Sequence, residues 1–421
     1  MQNRPTVLDR FLSYVRLDTQ STWPSSTRPS TPGQIVLLRQ LVAELQGLGL
    51  RDVELDDGGI VMATLPSNLP EPSSGRRPVV GFVAHVDTSP EYSGSGVNPQ
   101  LVRDYQGGDI VLDERLGVVI REDENPHLLT YRGHDIVTTD GTTLLGADDK
   151  AGVAEIMDLL TRLVDDPTIP HAEIRVAFTP DEEIGRGVDT FDVERFGVDA
   201  AYTVDGTGLG IIEDETFSAD GATIEIEGRA IHTAIAYGRM VNALQVAAAL
   251  IEAWPADERP ETTRGREGFV YFYQLEGTTT KALLRALVRD FDPADLERRG
   301  QRLLALCNEV ERRFPGSSIK VVIEEQYRNM KQILDEHPHV VELACEAMRR
   351  AGIEPKLDAV RGGTDGSRLT FMGVPTPNLF NGCHNYHSPT EHVSVQVMNR
   401  AVDALVELVQ LWSEPRSESS L

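Results

Sequence analysis

The sequence contains Gly81-Phe-Val-Ala-His85-Val-Asp87-Thr88, an apolar run that ends in a histidine and an aspartate. Residues two apart in a strand point to the same side, so we expect His85 and Asp87 to lie together at a strand end. Ligand sites in α/β sheets lie at such ends. A metal-bound histidine commonly has its other ring nitrogen held by a carboxylate. A polar pair that merely closes a strand is the alternative, and this segment alone does not decide between them.

Three further acidic segments follow apolar or small-residue stretches. They are Leu145-Gly-Ala-Asp148-Asp149-Lys150, Val176-Ala-Phe-Thr-Pro180-Asp181-Glu182-Glu183 and Tyr202-Thr-Val-Asp205-Gly206. Asp148 and Asp149 precede a helix, so capping of that helix is the alternative for this segment; one of the two acids could cap it while the other binds metal. Three consecutive acids at 181–183 repel one another, and a divalent cation would offset that repulsion. A solvated loop is the alternative for such a charge run.

A fifth segment, residues 381–392, holds three of the ten histidines of the chain, including His387. We expect four strand ends to deliver His85, Asp148, Glu183 and Asp205 to one sheet edge, and this segment to deliver a fifth ligand. Five nitrogen and oxygen ligands with one bridging carboxylate suit two zinc ions about 3.5–4 Å apart. Because the set has no thiolate, manganese and cobalt also fit.

The order of these motifs resembles the dinuclear zinc exopeptidases that include succinyl-diaminopimelate desuccinylase and glutamate carboxypeptidase. Within that family the chain is similar to the tripeptide aminopeptidases, nearly from end to end. Segments that carry this closer resemblance are Leu17-Asp-Thr-Gln-Ser21, His85-Val-Asp-Thr-Ser-Pro90, Val97-Asn-Pro-Gln100, Gly107-Gly-Asp109, Thr138-Thr-Asp-Gly141, Leu145-Gly-Ala-Asp-Asp-Lys-Ala-Gly152 and Arg361-Gly-Gly-Thr-Asp-Gly366.

The resemblance implies a role for each site residue. One zinc would be held by His85, Asp148 and Asp205, and the other by Asp148, Glu183 and His387, with Asp148 as the bridge. Asp87 resembles the acid that orients the first histidine, and Glu182 the general base. His387 is preferred over His384 and His392 because it fills the Asn-Tyr-His position of the family.

Two further segments resemble substrate-binding parts of the family. Ala230-Ile-His232-Thr is similar to the lid segment that carries an active-site histidine. Leu287-Val-Arg289-Asp-Phe-Asp292 is similar to the segment whose arginine binds the substrate carboxylate. The alternatives are an ordinary surface histidine, and an arginine paired with Asp290 or Asp292.

The chain of 421 residues exceeds the size of about 250–300 residues at which single cores stop growing. Apolar runs at Val79–Val86, Ile174–Phe178 and Ala200–Val204 predict buried strands, and Ala151–Leu163 predicts a helix. We therefore expect an α/β catalytic domain of residues 1–215 and 330–421, with a mixed sheet flanked by helices. Residues 216–329 predict an inserted, smaller α+β lid domain that runs strand–helix–strand–helix–strand. The polar tail after residue 412 is expected to fray.

Composition excludes several classes of protein. Forty basic against 66 acidic residues give a net charge of −26, which disfavours nucleic acid and anionic membrane partners. Three cysteines without a CxxC argue against a disulfide framework and favour a reducing compartment. The N-terminal residues lack a signal-peptide core, and no run approaches the about 18–20 apolar residues of a membrane span. We predict a cytoplasmic protein, with a homodimer as one open alternative.

The resemblance thus implies an aminopeptidase that removes the N-terminal residue from tripeptides, using a water activated by two zinc ions and Glu182 as general base. A related two-zinc deacylase or carboxypeptidase, acting on N-acyl amino acids or dipeptides, is the alternative. A non-catalytic protein on the same scaffold would lack a ligand or the base, and none is missing. A dinucleotide-dependent oxidoreductase would carry GxGxxG after its first strand, where the sequence has none.

Overall fold

The computed structural model describes residues 4–72 and 76–414, so the predicted polar tail beyond residue 414 lies outside the described residues. The chain divides into two compact units. The first comprises Met1–Asp214, Met330–Asp358 and Thr364–Leu421, and the second Glu215–Asn329 and Ala359–Gly363. Residues 359–363 were predicted in the catalytic domain but belong to the second unit. Two hydrogen bonds hold them there, from Phe217 N to Val360 O at 3.1 Å and from Arg361 Nη1 to Gly265 O at 3.0 Å.

The α-helices of the described residues are α1 (Val7–Tyr14), α2 (Pro32–Leu48), α3 (Ala147–Asp165), α4 (Val193–Phe196), α5 (Ala243–Ala253), α6 (Pro293–Arg313), α7 (Lys331–Leu334), α8 (Pro338–Arg350), α9 (Asp365–Phe371) and α10 (Val395–Trp412). Short 3₁₀ helices span Pro126–Thr130, Glu182–Ile184, Thr233–Ile235 and Ala256–Glu258. No helix within residues 4–72 and 76–414 combines the length and apolar character needed to cross a membrane.

The strands of the described residues are β1 (Arg51–Leu55), β2 (Val61–Leu65), β3 (Val80–His85), β4 (Gln100–Val102), β5 (Ile110–Asp113), β6 (Val118–Ile120), β7 (Ile136–Thr138), β8 (Ile174–Thr179), β9 (Ala200–Gly206), β10 (Ile211–Thr216), β11 (Ser218–Glu227), β12 (Phe269–Gly277), β13 (Lys281–Asp290), β14 (Ser318–Tyr327), β15 (Lys356–Val360), β16 (Asn378–Phe380), β17 (Cys383–His384) and β18 (His392–Ser394).

The main sheet of the first unit has the order β1-β2-β8-β3-β9-β16-β10-β15. Its centre is parallel, since β3 pairs in parallel with both β8 and β9. The pairs β1–β2, β2–β8 and β10–β16 are antiparallel. All six residues of β3 are buried, which is typical of a strand covered on both faces. The predicted mixed sheet flanked by helices is confirmed.

Helix α3 lies very close to the central strand β9. A Cβ atom placed on Gly152 would stand only 1.8 Å from the carbonyl oxygen of Val204, so no residue other than glycine fits at this contact. The contact fixes the first turn of α3, which contains Asp148, beside the end of β9, which contains Asp205. The packing of α3 on β9 therefore places two predicted ligands, Asp148 and Asp205, next to each other.

A smaller sheet of the first unit, with the order β17-β18-β7-β4, carries the histidine-rich segment. His384 of β17 lies opposite His392 of β18, and β18 pairs antiparallel with β7. The connection between β17 and β18 contains His387, which adopts a left-handed backbone conformation with φ of 60°. This ligand is thus delivered by a short loop between two paired strands.

The second unit contains an antiparallel sheet with the order β12-β13-β11-β14 and the helices α5 and α6. Its core includes Ile224, Leu284, Leu250 and Leu303. The predicted order of this domain omitted β13, because Lys281–Asp290 is rich in good helix formers such as Ala, Leu, Lys and Arg. Burial nevertheless alternates along β13, as expected for a strand that packs one face on the core.

Candidate metal centre

Three of the predicted ligands come from neighbouring parallel strands. His85 is the last residue of β3, and Asp205 is the penultimate residue of β9. Glu183 lies in the 3₁₀ helix Glu182–Ile184, which follows β8. Asp148 was predicted at a strand end, but it lies in the first turn of α3 with non-helical dihedral angles. The expected meeting point is therefore formed by three strand ends, one helix start and the loop of His387.

The five predicted ligands form two groups that share Asp148. In the first group, His85 Nε2 is 3.0 Å from Asp148 Oδ1 and 3.5 Å from Asp205 Oδ1. In the second, His387 Nε2 is 2.8 Å from Glu183 Oε2 and 3.3 Å from Asp148 Oδ2. Within each group the ligand atoms all lie within 4.8 Å of one another. Each carboxylate oxygen of Asp148 thus faces a different group.

The donor set fits two divalent cations. It consists of carboxylate oxygens and imidazole nitrogens, which are the usual ligands of a zinc pair. Glu183 Oε1 is buried and has no hydrogen-bond partner among the described residues, so this atom has an unused acceptor position. Three carboxylates held this close repel one another, and bound cations would remove that cost.

The pKa values of these groups reflect their crowding. Burial raises the pKa of Asp205 to about 6 and that of Glu183 to about 8. Although burial opposes it, hydrogen bonds to Asp148 and Glu183 raise the pKa of His387 to about 12. Burial also acts against the ionised form of Asp148, but hydrogen bonds from His387 and His85 lower its pKa below the usual range. Metal ligands must be deprotonated, so cations would displace the protons that bind here.

Glu182, the predicted general base, lies beside the second group. Burial raises its pKa well above the usual value, and the carboxylates of Asp365, Asp205 and Glu183 act in the same direction. A carboxyl group with a raised pKa is suited to accept a proton near neutral pH and to release it again. The adjacent acids Glu182 and Glu183 thus differ in their surroundings.

Asp87 connects the two groups of ligands. Its side chain is fully buried; His85 Nδ1 lies 3.1 Å from the backbone oxygen of Asp87 and 3.4 Å from its Oδ1. The same carboxylate accepts hydrogen bonds from Glu182 N at 2.9 Å and Glu183 N at 3.2 Å. The predicted orienting contact to His85 is therefore accompanied by a second one, which fixes the start of the 3₁₀ helix.

Asp181, the first acid of the predicted charge run, belongs to neither ligand group. Its carboxylate accepts hydrogen bonds from Ser30 N at 2.8 Å and Gln34 Nε2 at 2.8 Å. It thereby ties the Ser/Pro-rich loop Ser21–Pro32 to the segment that carries Glu182 and Glu183. In the structure this loop is a connection anchored next to Glu182 and Glu183, the predicted base and ligand.

Asp149, the neighbour of the bridging residue, is fully buried and also has a supporting role. Its Oδ2 accepts a hydrogen bond from His85 N at 3.2 Å, and its Oδ1 accepts from Gly152 N at 3.2 Å and from Asn381 Nδ2 at 2.9 Å. The peptide bond between Asp148 and Asp149 is cis. Asp149 thus holds its surroundings by hydrogen bonds, whereas Asp148 belongs to both groups of predicted ligands.

Glu391 is a site residue that the sequence reasoning missed. Its carboxylate accepts backbone hydrogen bonds from Leu145 at 2.7 Å, Gly146 at 2.8 Å and Asp148 at 3.0 Å. Those contacts hold the loop that ends in Asp148, the predicted bridge. A single acid four residues after His387 carries no sequence signal for burial, so only the structure identifies it.

His384 and His392, the rejected candidates of the histidine-rich segment, belong to neither ligand group. His384 stacks on His127, with ring centroids 3.6 Å apart and an interplanar angle of 7°. His127 Nε2 and His392 Nε2 are 2.8 Å apart, and the Tyr131 hydroxyl is 2.8 Å from His384 Nε2. We call His127, His384 and His392 the histidine stack.

His232 and Arg289, the predicted substrate-binding residues, lie in the second unit. His232 is exposed, and its Nδ1 accepts a hydrogen bond from Ala234 N at 3.2 Å. That contact leaves the proton on Nε2, which can donate a hydrogen bond. Arg289 is half-buried on β13, where Nη1 donates to Arg361 O at 3.2 Å.

The two acids proposed as partners of Arg289 are engaged elsewhere. Asp290 Oδ2 accepts a hydrogen bond from Arg299 Nε at 2.8 Å, and Asp292 Oδ1 accepts one from Ala294 N at 2.7 Å at the start of α6. Within the described part of the chain, no carboxylate pairs with Arg289, and its Nε is buried without a partner. The alternative of a local ion pair at Arg289 is therefore wrong.

Comparison with known proteins identifies the family. Residues 130–411 match the model of peptidase family M20/M25/M40. The chain belongs to this family. A protein named Peptidase T from Geobacillus kaustophilus is 45% identical over 411 residues, which cover 98% of this chain and 99% of the relative. Another Peptidase T, from Clostridium botulinum, is 46% identical over 407 residues, with 97% and 99% covered.

Solved structures of M20 peptidases share the fold. The aminopeptidase PepT from Bacillus cereus has a TM-score of 0.72 at 22% identity, and a tripeptidase from Staphylococcus aureus has 0.74 at 21%, each covering 97% of this chain and 98% of the other. A dinuclear metal-binding M20 peptidase from Bacillus subtilis has 0.63 at 14%, with 97% and 98% covered. This M20 peptidase is thus a peptide hydrolase of a dinuclear metal-binding family.

Proposed function

We propose that the chain is an aminopeptidase that removes the N-terminal residue from tripeptides and holds two zinc ions. The observation that carries the proposal is Asp148, whose two carboxylate oxygens face His85 on one side and His387 on the other. Each side is completed by one further carboxylate, from Asp205 or Glu183. Manganese and cobalt also suit this set of nitrogen and oxygen donors.

The side chains around the cations divide the chemical work. The cations, when bound, supply a water molecule that loses its proton near neutral pH. Glu182 accepts a proton at its carboxylate and delivers it to the nitrogen of the leaving amine. Asp87 keeps Glu182 and Glu183 in place through their backbone amides. The backbone of both Glu182 and Glu183 is therefore held in one position.

We infer that Arg289 binds the carboxylate of the peptide and that His232 donates a hydrogen bond to the oxygen of the scissile carbonyl. Both assignments rest on the resemblance of their segments to the family. Among the described residues Arg289 has no carboxylate partner, which supports its assignment to the peptide carboxylate, because guanidinium can bind a carboxylate by two parallel hydrogen bonds. The net charge of −26 makes such a specific cation necessary for an anionic substrate end.

A substrate series tests the proposed activity. We expect cleavage of the first residue from a tripeptide such as Ala-Ala-Ala, and much slower turnover of Ala-Ala and of N-acetyl-alanine by the same preparation. The Glu182→Gln variant serves as the control for contaminating peptidases. Preferred turnover of the dipeptide or of the N-acyl amino acid would instead favour the carboxypeptidase or deacylase alternative.

Kinetics on a tripeptide and its C-terminal amide test Arg289. We expect the wild type to prefer the free carboxylate, and Arg289→Ala to narrow the difference in kcat/KM. Arg285→Ala is a matched control, because Arg285 lies on the same strand and on the same face. An unchanged preference in folded Arg289→Ala would remove this residue from the substrate site.

A further inference from the structure

The histidine of the second ligand group has a contact that none of the assigned roles explains. His387 Nε2 faces Glu183 and Asp148, whereas its other ring nitrogen, Nδ1, lies 3.2 Å from Glu91 Oε2. Among the described residues, Glu91 is the hydrogen-bond partner of His387 Nδ1. We propose that Glu91 is a positioning residue that orients His387 and sets the affinity of the cation bound on that side. This inference rests on the proposed two-cation site.

The first ligand group contains a related arrangement in a buried form. His85 Nε2 faces the predicted ligands Asp148 and Asp205, and Nδ1 lies 3.1 Å from the backbone oxygen of Asp87 and 3.4 Å from its carboxylate oxygen Oδ1. A carboxylate on the second nitrogen of a metal-bound histidine fixes the tautomer and the ring orientation, and raises the basicity of the ligand nitrogen. In both histidines, therefore, a carboxylate lies near Nδ1, the ring nitrogen that faces away from the ligand group. Only Asp87 belongs to the motif that resembles the family.

Hydrogen bonds hold the backbone on both sides of Glu91, and this constrains the position of its side chain relative to His387. Gln20 Nε2 donates hydrogen bonds to Ser89 O at 2.9 Å and to Tyr92 O at 2.7 Å, on both sides of Glu91. Glu91 N donates to Ser89 Oγ at 3.2 Å. These three bonds determine where the Glu91 side chain leaves the backbone.

Exposure limits the size of the effect. The Glu91 side chain is 71% exposed, whereas Asp87 is fully buried. Water competes for an exposed carboxylate, and salt screens its charge. We therefore expect Glu91 to act at the lower end of the 10–100-fold range in metal affinity that is usual for such partners, about tenfold. The contribution should also shrink as ionic strength rises.

Metal binding to the purified full-length chain tests the proposal. Zinc is removed, and binding is then followed by competition with a chromophoric chelator and by equilibrium dialysis with metal analysis. For the wild type we expect two equivalents per chain. For Glu91→Ala we expect one equivalent to weaken about tenfold and the other to remain unchanged. Glu91→Gln should lose less than Glu91→Ala, because the amide oxygen still accepts a hydrogen bond from Nδ1.

Two controls separate positioning from folding. Glu114→Ala removes an exposed acid on a turn outside the site and should bind both equivalents as the wild type does. The melting temperature of the metal-free Glu91→Ala chain should equal that of the wild type, since an exposed side chain contributes little to stability. Raising the salt concentration should narrow the difference in affinity between wild type and Glu91→Ala.

The outcomes distinguish this inference from the proposed function. If the wild type binds two equivalents and Glu91→Ala binds both with wild-type affinity, Glu91 is not a positioning residue, although the two-cation site stands. If Glu91→Ala weakens both equivalents alike, its effect is not confined to His387 and the inference is also wrong. A wild type that binds fewer than two equivalents would refute the proposed site itself.

Discussion

The two halves of the metal centre have the same chemistry but different support. In one half, the His85 side chain is 2% exposed and is backed by the fully buried Asp87. In the other, the His387 side chain is 28% exposed and is backed by the largely exposed Glu91. His85 comes from a strand of the main sheet, whereas His387 comes from a loop with a left-handed backbone.

This difference shows how the ligand side chains of each half are held in position. Parallel strands bring their ends to one edge, so β3 and β9 place two of the three residues of the buried half, His85 and Asp205. The exposed half depends on contacts from segments outside the main sheet, such as that of Glu91 with His387 Nδ1. We therefore expect substitutions in such supporting contacts to affect the exposed half more readily than the buried half.

The largest expected effect separates the two adjacent glutamates of the exposed half. Glu182→Gln should retain both cations and lose turnover by about 10²–10⁴-fold, since general acid–base catalysis is worth that much. Glu183→Ala should instead lose one cation, because its carboxylate completes the ligand group of His387. Metal analysis and tripeptide kinetics on both variants decide. Loss of metal at position 182 with retention at 183 would mean that the two roles are exchanged.

A smaller effect is expected from Glu391, which supports the bridge rather than binding a cation. Glu391→Ala leaves three backbone N–H groups without their carboxylate acceptor, and hydrogen bonds to charged groups contribute about 1.5–3 kcal/mol each. We expect a lower melting temperature of the metal-free chain and weaker binding of both cations, because Asp148 serves both halves. Weakening of only one cation would contradict a role through the bridge.

The smallest effect is a pH dependence carried by the histidine stack, which adjoins the loop of His387. Burial lowers the pKa of His127 and of His392 to about 4, and burial together with the two neighbouring histidines lowers that of His384 to about 2. Because these values lie below the ordinary 6.5, the unfolded chain binds protons first as the pH falls. Stability that is complete above about pH 6.5 is therefore lost progressively toward pH 4.

The variant His384→Phe tests this dependence. Loss of its hydrogen bond with Tyr131 should reduce stability at pH 7.5 by about 1 kcal/mol, but the further loss between pH 7.5 and 5.0 should be smaller than in the wild type. Melting temperatures of the metal-free chain at both pH values measure this difference. His337→Phe, outside the stack, should keep the wild-type change. An identical change in His384→Phe would show that His384 does not contribute.

The sequence predicted the strand-borne part of the site better than the rest. Strand β8 was predicted as Ile174–Phe178 and observed as Ile174–Thr179, because a buried parallel strand appears as a continuous apolar run. Strand β13 was omitted from the prediction because its composition favours a helix. Tertiary packing, rather than local preference, makes this segment a strand.

The supporting roles of some acids could not be found from the sequence. Glu391 and Glu91 are isolated acids and Asp181 belongs to a charge run. The partners of all three are far away in the chain, and their contacts depend on the folded arrangement of loops. The place of Asp148 at the entry of a helix was predicted from the small-residue turn before it, but its non-helical dihedral angles were not.

Metal stoichiometry of three variants tests the central claim most directly. Asp148→Ala should bind neither cation tightly, because its two oxygens serve both ligand groups. Asp205→Ala and Glu183→Ala should each lose one cation and retain the other. This pattern of none, one and one is predicted by a bridging Asp148 between two otherwise separate groups. An Asp148→Ala variant that keeps two tightly bound cations and full activity would contradict the account.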